Sequence, residues 1–303
     1  MKIFTKSAIL STGLIIGLSI SSFAQTPLSG FMQGKKGGGL TFSLTHENYK
    51  SVYLVPEIVD ETPIFGSVST NSFNIYGNYG ISDKLDAVVS LPFIQTVGSA
   101  NPATLQGIRS NGGDYSNQIE GMQDISAFLK YEFAKVGNVS FQGSLGFTTP
   151  LGDYKVDDEL QSIIAIGNRA TTLNGILLAH FKDERGFFIT GQAGYSARTT
   201  DVPDAILSEL KIGFAADRFY IAGQVGNQTS TSGTDILRPG FNNDFTATKV
   251  NYTKVGGTIY TPIDGNFGIS VSGGGIVDGR NVGKSYYGSA GLTYKFIYKS
   301  LTK

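Results

Sequence analysis

The chain has no cysteine and no tryptophan. Without cysteine there is no disulfide framework, no thiolate metal site, no Cys nucleophile and no lipid-modified Cys anchor. Charge is sparse: 16 % of residues are Asp, Glu, Lys or Arg, against roughly 25 % in soluble domains. Neither sign is in excess, with 24 basic and 24 acidic side chains among 303 residues. That removes the electrostatic footprint of a nucleic-acid binder, and no acidic tail is present. Long apolar runs are missing after Ile20, so no later segment reads as a membrane-spanning helix. Histidine is reduced to His46 and His180. His46 precedes Glu47-Asn48 and His180 precedes Phe181-Lys182, so neither offers the His-x-Ser pairing of a barrel phospholipase. Nucleophilic catalysis needs an oriented base beside the nucleophile, and none is legible. No enzymatic activity, metal or cofactor is expected.

What is present begins at the N-terminus. Lys2 and Lys6 precede an uncharged apolar core, Ala8–Ile20, and small residues stand at Ser22 and Ala24. This is the pattern of a secretory signal peptide, cut before Gln25. A core of about 13 residues is short of the roughly 20 that a spanning helix needs. The expected organisation is a signal peptide at 1–24, a short segment at 25–37 and one domain at 38–303.

That domain is built from alternation. In "MQDISAFLKYEF" (Met122–Phe133), Ile125, Ala127, Leu129, Tyr131 and Phe133 take one side of an extended chain. Asp124, Ser126, Lys130 and Glu132 take the other, with Phe128 the exception. Successive strand side chains point to opposite faces, so this is a strand with one apolar and one charged face. The pattern recurs near 38–46, 67–81, 84–97, 122–134, 138–149 and 169–182. It continues near 186–198, 205–216, 218–228, 247–261, 266–278 and 285–298. Tight turns, such as "ISDK" (Ile81–Lys84) and "KVGN" (Lys135–Asn138), alternate with longer connections at 47–66, 98–121, 150–168, 199–204, 229–246 and 279–284. Short periplasmic turns and long external loops mark outer-membrane barrels.

Aromatics on the apolar face cluster beside the short turns, among them Tyr79, Tyr131, Phe141, Phe187 and Phe267. A thinner set, including Phe73, Phe93, Phe147 and Tyr195, lies further along the strands. Two such girdles are the signature of membrane interfaces. The expectation is an all-β, transmembrane, antiparallel up-and-down β-barrel of about 12 strands, with 10 or 14 as alternatives. Its partners are outer-membrane lipid, a small-molecule solute and the barrel-assembly machinery, not nucleic acid.

Parity then assigns an interior. Asp86, Asp124, Lys130 and Glu132 point inward on the early strands, and Glu209, Lys211 and Lys295 on the later ones. Arg218 is placed there too. Asp86, Lys130 and Glu132 are expected to form one network at the periplasmic mouth. A cation at Ser140, on the inner face, is expected to be tolerated better than one at Leu129. The apolar "LQSIIAIG" (Leu160–Gly167) either folds inward as a lid or extends a strand. Twelve strands spaced about 4.8 Å and tilted about 40° give a backbone radius of roughly 12 Å, which suits small solutes.

"SAGLTYKF" (Ser289–Phe296) resembles the C-terminal assembly signal of bacterial outer-membrane barrels. "GISDKLDAVVSLPFI" (Gly80–Ile94) and "GMQDISAFLKYEF" (Gly121–Phe133) together resemble the outer-membrane β-barrel family named for the meta-pathway of phenol degradation. The resemblance covers about a fifth of the chain. It implies a transporter or channel in the outer membrane of a Gram-negative bacterium, passing small, apolar or aromatic solutes. It is distantly similar to hydrocarbon-uptake barrels, which carry an N-terminal hatch and an Asn-Pro-Ala motif near the start. Here "NPA" stands at Asn101–Ala103, in a loop. The rival readings are a plugged barrel that anchors or scaffolds surface components, and an outer-membrane hydrolase.

Overall fold

A computed structural model describes residues 27–54, 57–60, 65–110, 116–153, 163–236, 238–241, 245–264 and 266–296. The signal peptide and its cleavage site lie outside the described residues. The chain runs from β1 (Gly38–Tyr53) through the two-residue β2 (Ile58–Val59) to β3 (Ser67–Ser82) and β4 (Leu85–Ser99). A helix, α1 (Pro102–Ser110), leads to β5 (Gln118–Met122) and β6 (Asp124–Val136), two pieces of one stave broken at Gln123. Then come β7 (Val139–Pro150), β8 (Thr172–Lys182), β9 (Phe187–Arg198) and β10 (Ala205–Ala215). The remaining strands are β11 (Tyr220–Ser230), β12 (Asn251–Asp264), β13 (Phe267–Arg280) and β14 (Val282–Phe296).

Each stave pairs antiparallel with the next, and β14 returns to pair with β1 from Gly38↔Phe296 to Tyr53↔Val282. With β2 a flap on β1 and β5–β6 one stave, twelve staves close an antiparallel barrel. Closure leaves no sheet edge, which is the condition for strands in hydrocarbon.

The burial alternates as the sequence does. On β8, Asn174, Ile176, Leu178 and His180 are buried while Leu173 and Leu177 are 59 % and 67 % exposed. Leucines that open to the outside and polar groups closed within are the reverse of a soluble sandwich, and they define the lipid-facing wall. Tyr79, Tyr131, Phe141, Phe187 and Phe267 are all exposed on it beside short turns, and Phe73, Phe93, Phe147 and Tyr195 nearer the opposite end.

The exception, Phe128, points inward and is buried. Its ring lies on Gly146 of the paired strand, where a Cβ would sit 2.0 Å from it. Only glycine leaves room there.

Some boundaries differ from the sequence expectation. Strand β1 continues past residue 46 to Tyr53, and the expected loop 279–284 is a single residue, Asn281, between β13 and β14. Asn281 takes φ +52°, a left-handed conformation that Asn tolerates. Its amide donates to Asp235 Oδ1 (2.8 Å) and Lys249 O (2.9 Å). Asp235 also accepts a bidentate pair from Arg280, at 2.7 and 2.6 Å. The β11–β12 loop is thereby tied to the β13–β14 turn. The "NPA" triplet opens α1. Asn101 Oδ1 accepts the Thr104 N–H at 2.9 Å and Pro102 takes the first helical position, a normal N-terminus for a helix. Arg218 is exposed in the β10–β11 turn instead of facing inward, because the strand begins only at Tyr220.

One row of the outer wall is polar. His46, Asn71, Gln95 and Glu120 stand in register across β1, β3, β4 and β5. They bond in series: His46 Nδ1 to Asn71 Oδ1 (2.8 Å), Asn71 Nδ2 to Gln95 Oε1 (3.3 Å), Gln95 Nε2 to Glu120 Oε2 (2.9 Å).

Candidate functional site

Residues 27–37 lie inside the barrel. They descend the lumen without regular structure to the short-turn end, where β1 begins. Irregular backbone buried in a lumen must find partners for its amides and carbonyls, and the inner wall supplies them. Lys130 Nζ donates to Ser29 O (2.6 Å) and Phe31 O (2.7 Å), and Gln142 Nε2 to Gly30 O (2.6 Å). Tyr76 OH donates to Pro27 O at 3.1 Å. The Gln33 N–H donates to both oxygens of Asp86, at 3.2 and 3.1 Å. At the rim, the Lys36 N–H meets Gly80 O at 2.7 Å.

Apolar contacts complete the plug. Leu28 is buried among Tyr76, Val88, Phe128, Ile176 and Leu178. Phe31 meets Phe188 and His180 edge-on, with ring centroids 5.1 and 4.5 Å away. His180 Nδ1 bonds Thr190 Oγ1 at 2.7 Å, and the imidazole lies against Gly30, where a Cβ would come within 2.3 Å of it. A side chain at position 30 would push the segment off the wall.

The plug and the ion pair beside it depend on each other. Lys130 Nζ and Asp86 are 3.4 Å apart, with side chains 2 % and 1 % exposed. A buried pair is tolerated when further hydrogen bonds fill its remaining donors and acceptors. Here the plug supplies them on both sides. Glu132, expected in the same network, acts on both partners only through space.

The outer end is narrowed from another direction. Ile164 is completely buried against Phe65, Val68 and Tyr49, and Ile166 packs on Ile94. Val68, Ile94 and Tyr49 are inward positions of β3, β4 and β1, so this part of the β7–β8 connection folds into the mouth. Residues 160–162 lie outside the described residues.

The opposite wall is unlike this one. Between the buried Tyr260 and Tyr287, the inward positions Thr258, Ser270, Ser272 and Ser289 of β12–β14 carry small side chains, and each is only half-buried. These side chains are smaller than Phe128, Lys130 and Gln142, which are buried on the wall across from them. Glu209 and Lys211 stand on β10 beside this strip, 3.3 Å apart, and Gln192 Nε2 donates to Glu209 Oε1 at 2.8 Å. Lys295 lies at the short-turn end with its ammonium 4.5 Å from the Tyr260 ring centroid. Asp124 is half-buried at the far end of β6. The seven inner charges therefore divide: Asp86 and Lys130 under the plug, Glu209 and Lys211 across the lumen, and Asp124, Glu132 and Lys295 apart from both pairs. Of the histidines, His46 faces outward and His180 is in the plug contact. Sequence reasoning placed no part of 25–37 in the lumen, nor did it find Glu47 and Lys254, which are buried on inner positions of β1 and β12.

No protein-family model matches the sequence, and no curated protein matches it. Among solved structures the fold is similar to the COG4313 outer membrane channel from Pseudomonas putida F1. The TM-score is 0.67 at 14 % identity, over 86 % of this chain and 96 % of that one. KdgM porin (TM-score 0.48, 7 % identity, 85 % and 99 % coverage) and the CymD monoaromatic hydrocarbon channel (0.43, 8 %, 88 % and 90 %) are looser likenesses. The fold is that of a twelve-stranded outer-membrane β-barrel.

Proposed function

We propose that the protein is an outer-membrane channel for small solutes, exported by its signal peptide, cut before Gln25 and inserted through the Ser289–Phe296 signal. The observation that carries this is the half-buried run of small inward residues Thr258, Ser270, Ser272 and Ser289 on β12–β14, which supports a path beside the plug. Its solutes are small organic molecules, with aromatic ones favoured by the resemblance to the meta-pathway family. The inner charges include both signs without a same-sign ring, so ion preference is weak. Liposome swelling with the purified protein tests the reading. Wild type should admit ethylene glycol, and deletion of residues 27–34 should raise the rate several-fold by opening the filled half. No swelling in either protein would end the channel reading. The second reading, a plugged barrel that anchors surface components, is favoured by the coexistence of plug and inward-folded outer loop. It would then take its place.

A further inference from the structure

Halfway up the open wall, four side chains from four strands converge. Glu47 of β1 pairs across the seam with Tyr287 of β14, Tyr287 with Gly274 of β13, and Gly274 with Gly256 of β12. The Tyr287 ring lies flat over those two glycines. A Cβ on Gly256 would meet its hydroxyl at 2.5 Å and one on Gly274 its ring edge at 2.8 Å. Lys254 sets its ammonium over the same ring, 4.2 Å from the centroid. Glu209 closes the group from β10, one bare position away, since Gly226 separates it from Lys254 in the pairing row. Both carboxylates act on Lys254 and on Tyr287 through space.

These charges are buried but not filled. Glu47 is 7 % exposed and Lys254 2 %. Among the described residues, neither has a hydrogen-bond or ion-pair partner. Glu209 uses Oε1 for Lys211 and Gln192, and its Oε2 is buried without a partner. A buried charge without hydrogen bonds is costly, and two of them beside a half-satisfied third are not explained by packing. Under the plug, by contrast, the buried Lys130 and Asp86 are met by peptide groups and by each other.

We propose that Glu47, Glu209, Lys254 and Tyr287 form a binding site for a zwitterionic solute, one that carries an ammonium next to a carboxylate. The assignment rests on the channel reading and names a solute for it. The unfilled groups fix the complement: two carboxylates require a donor-rich cation, and one ammonium requires an anionic acceptor. A simple cation would leave Lys254 unmatched, and a simple anion would meet two carboxylates. With Lys211 the cluster sums to zero charge, which fits a solute of zero net charge.

Radiolabelled glycine is the probe, with its flux into proteoliposomes measured against concentration. The flux should saturate and be competed by alanine, but not by methylammonium or acetate at the same concentration. Glu47→Gln and Lys254→Gln should each weaken half-saturation about tenfold, as expected for losing one charge-assisted contact. Ethylene glycol permeation, and the heat-modifiable mobility of the folded barrel, should be unchanged in both variants. Glycine binding to the purified barrel is read in parallel by saturation-transfer NMR. Binding without any flux, ethylene glycol included, would sink the channel and keep the site. A linear glycine flux with no binding, or competition by methylammonium or acetate as strong as by alanine, would overturn the site and leave the channel standing.

Discussion

Strands β6–β8 and strands β12–β14 lie on opposite sides of one lumen, yet they meet it differently. The first set presents Phe128, Lys130, Gln142, Ile176 and Leu178, all buried beneath the N-terminal segment. The second presents, between the buried Tyr260 and Tyr287, a stretch of Ser and Thr that stays half-buried. Strand number sets the radius of a barrel, but the size of the inward side chains decides where within that radius space remains. Large residues on one side draw in a peptide that satisfies them. Small residues on the other ask for no such filling. The ion pair Asp86–Lys130 and the plug are consequently one unit, whereas the open side can change without disturbing the fold.

The largest expected effect comes from breaking that unit. Lys130→Met removes the donor to Ser29 and Phe31 and leaves Asp86 as a buried charge, which should cost about 3–5 kcal/mol. Urea unfolding in liposomes, followed by the gel mobility of the folded form, reads the loss. Conductance should rise in the fraction that folds. An unchanged midpoint would mean that the plug is not anchored there.

The comparison sharpens with three arginines. Leu129→Arg, on the lipid face, should cost about 2–4 kcal/mol near the midplane. Sequence parity alone expects Ser140→Arg to be mild. Ser140, however, is buried in the filled half and accepts Gln142 Nε2 at 2.8 Å, so overpacking there should cost about 1–3 kcal/mol. Ser272→Arg, on the open wall, should fold as wild type and lower conductance instead. If Ser140→Arg and Ser272→Arg give the same folded yield, the two halves of the lumen are not distinct.

The smallest effect lies outside the membrane, at the clamp between the β11–β12 loop and the β13–β14 turn. The Arg280 hydrogen bonds hold the Asp235 carboxyl down at about 2. A carboxylate held below its unfolded value, about 3.9, stabilises fully above that value and loses its contribution as pH falls through about 2. The Asn281 side-chain amide resonance should stay fixed down to about pH 4 and then move. Asp235→Asn should remove the transition while leaving conductance at neutral pH unaltered. A transition that persists in Asp235→Asn would place its origin in another group.

The staves were legible because each one must separate lipid from lumen, and a period of two records that directly. Positions such as Leu129, Tyr131 and Lys130 could be assigned from parity alone. The plug could not, since residues 27–37 have no period and their partners lie far along the chain, from Tyr76 to Phe188. Phe128 looked like an error in its strand. It makes sense only with Gly146 opposite, and that pairing needs the register. The Asn281 turn was hidden for a different reason: "DGRNVG" (Asp278–Gly283) has loop composition, and the clamp on Asp235 is what keeps it tight. The mid-lumen cluster was half visible. Glu209 was read as inward, while Glu47 fell in a stretch expected to be loop until β1 proved to run on to Tyr53.

The polar row on the outer wall bears on the lipid. In the pairing rows where β1 carries His46 and Asn48, its neighbour β14 carries Gly288 and Tyr286. The apolar collar thus stops two outward positions, or four residues, sooner on β1 than across the seam, about 13 Å along a strand. Lateral bonding among His46, Asn71, Gln95 and Glu120 continues that low margin over β3 and β4. A bilayer matches such an uneven collar by thinning on the short flank or by letting the cylinder lean, at fractions of a kcal/mol per ångström. By either route the short flank at β1–β4 and the taller wall at β14 make the barrel's hydrophobic belt uneven around its own circumference.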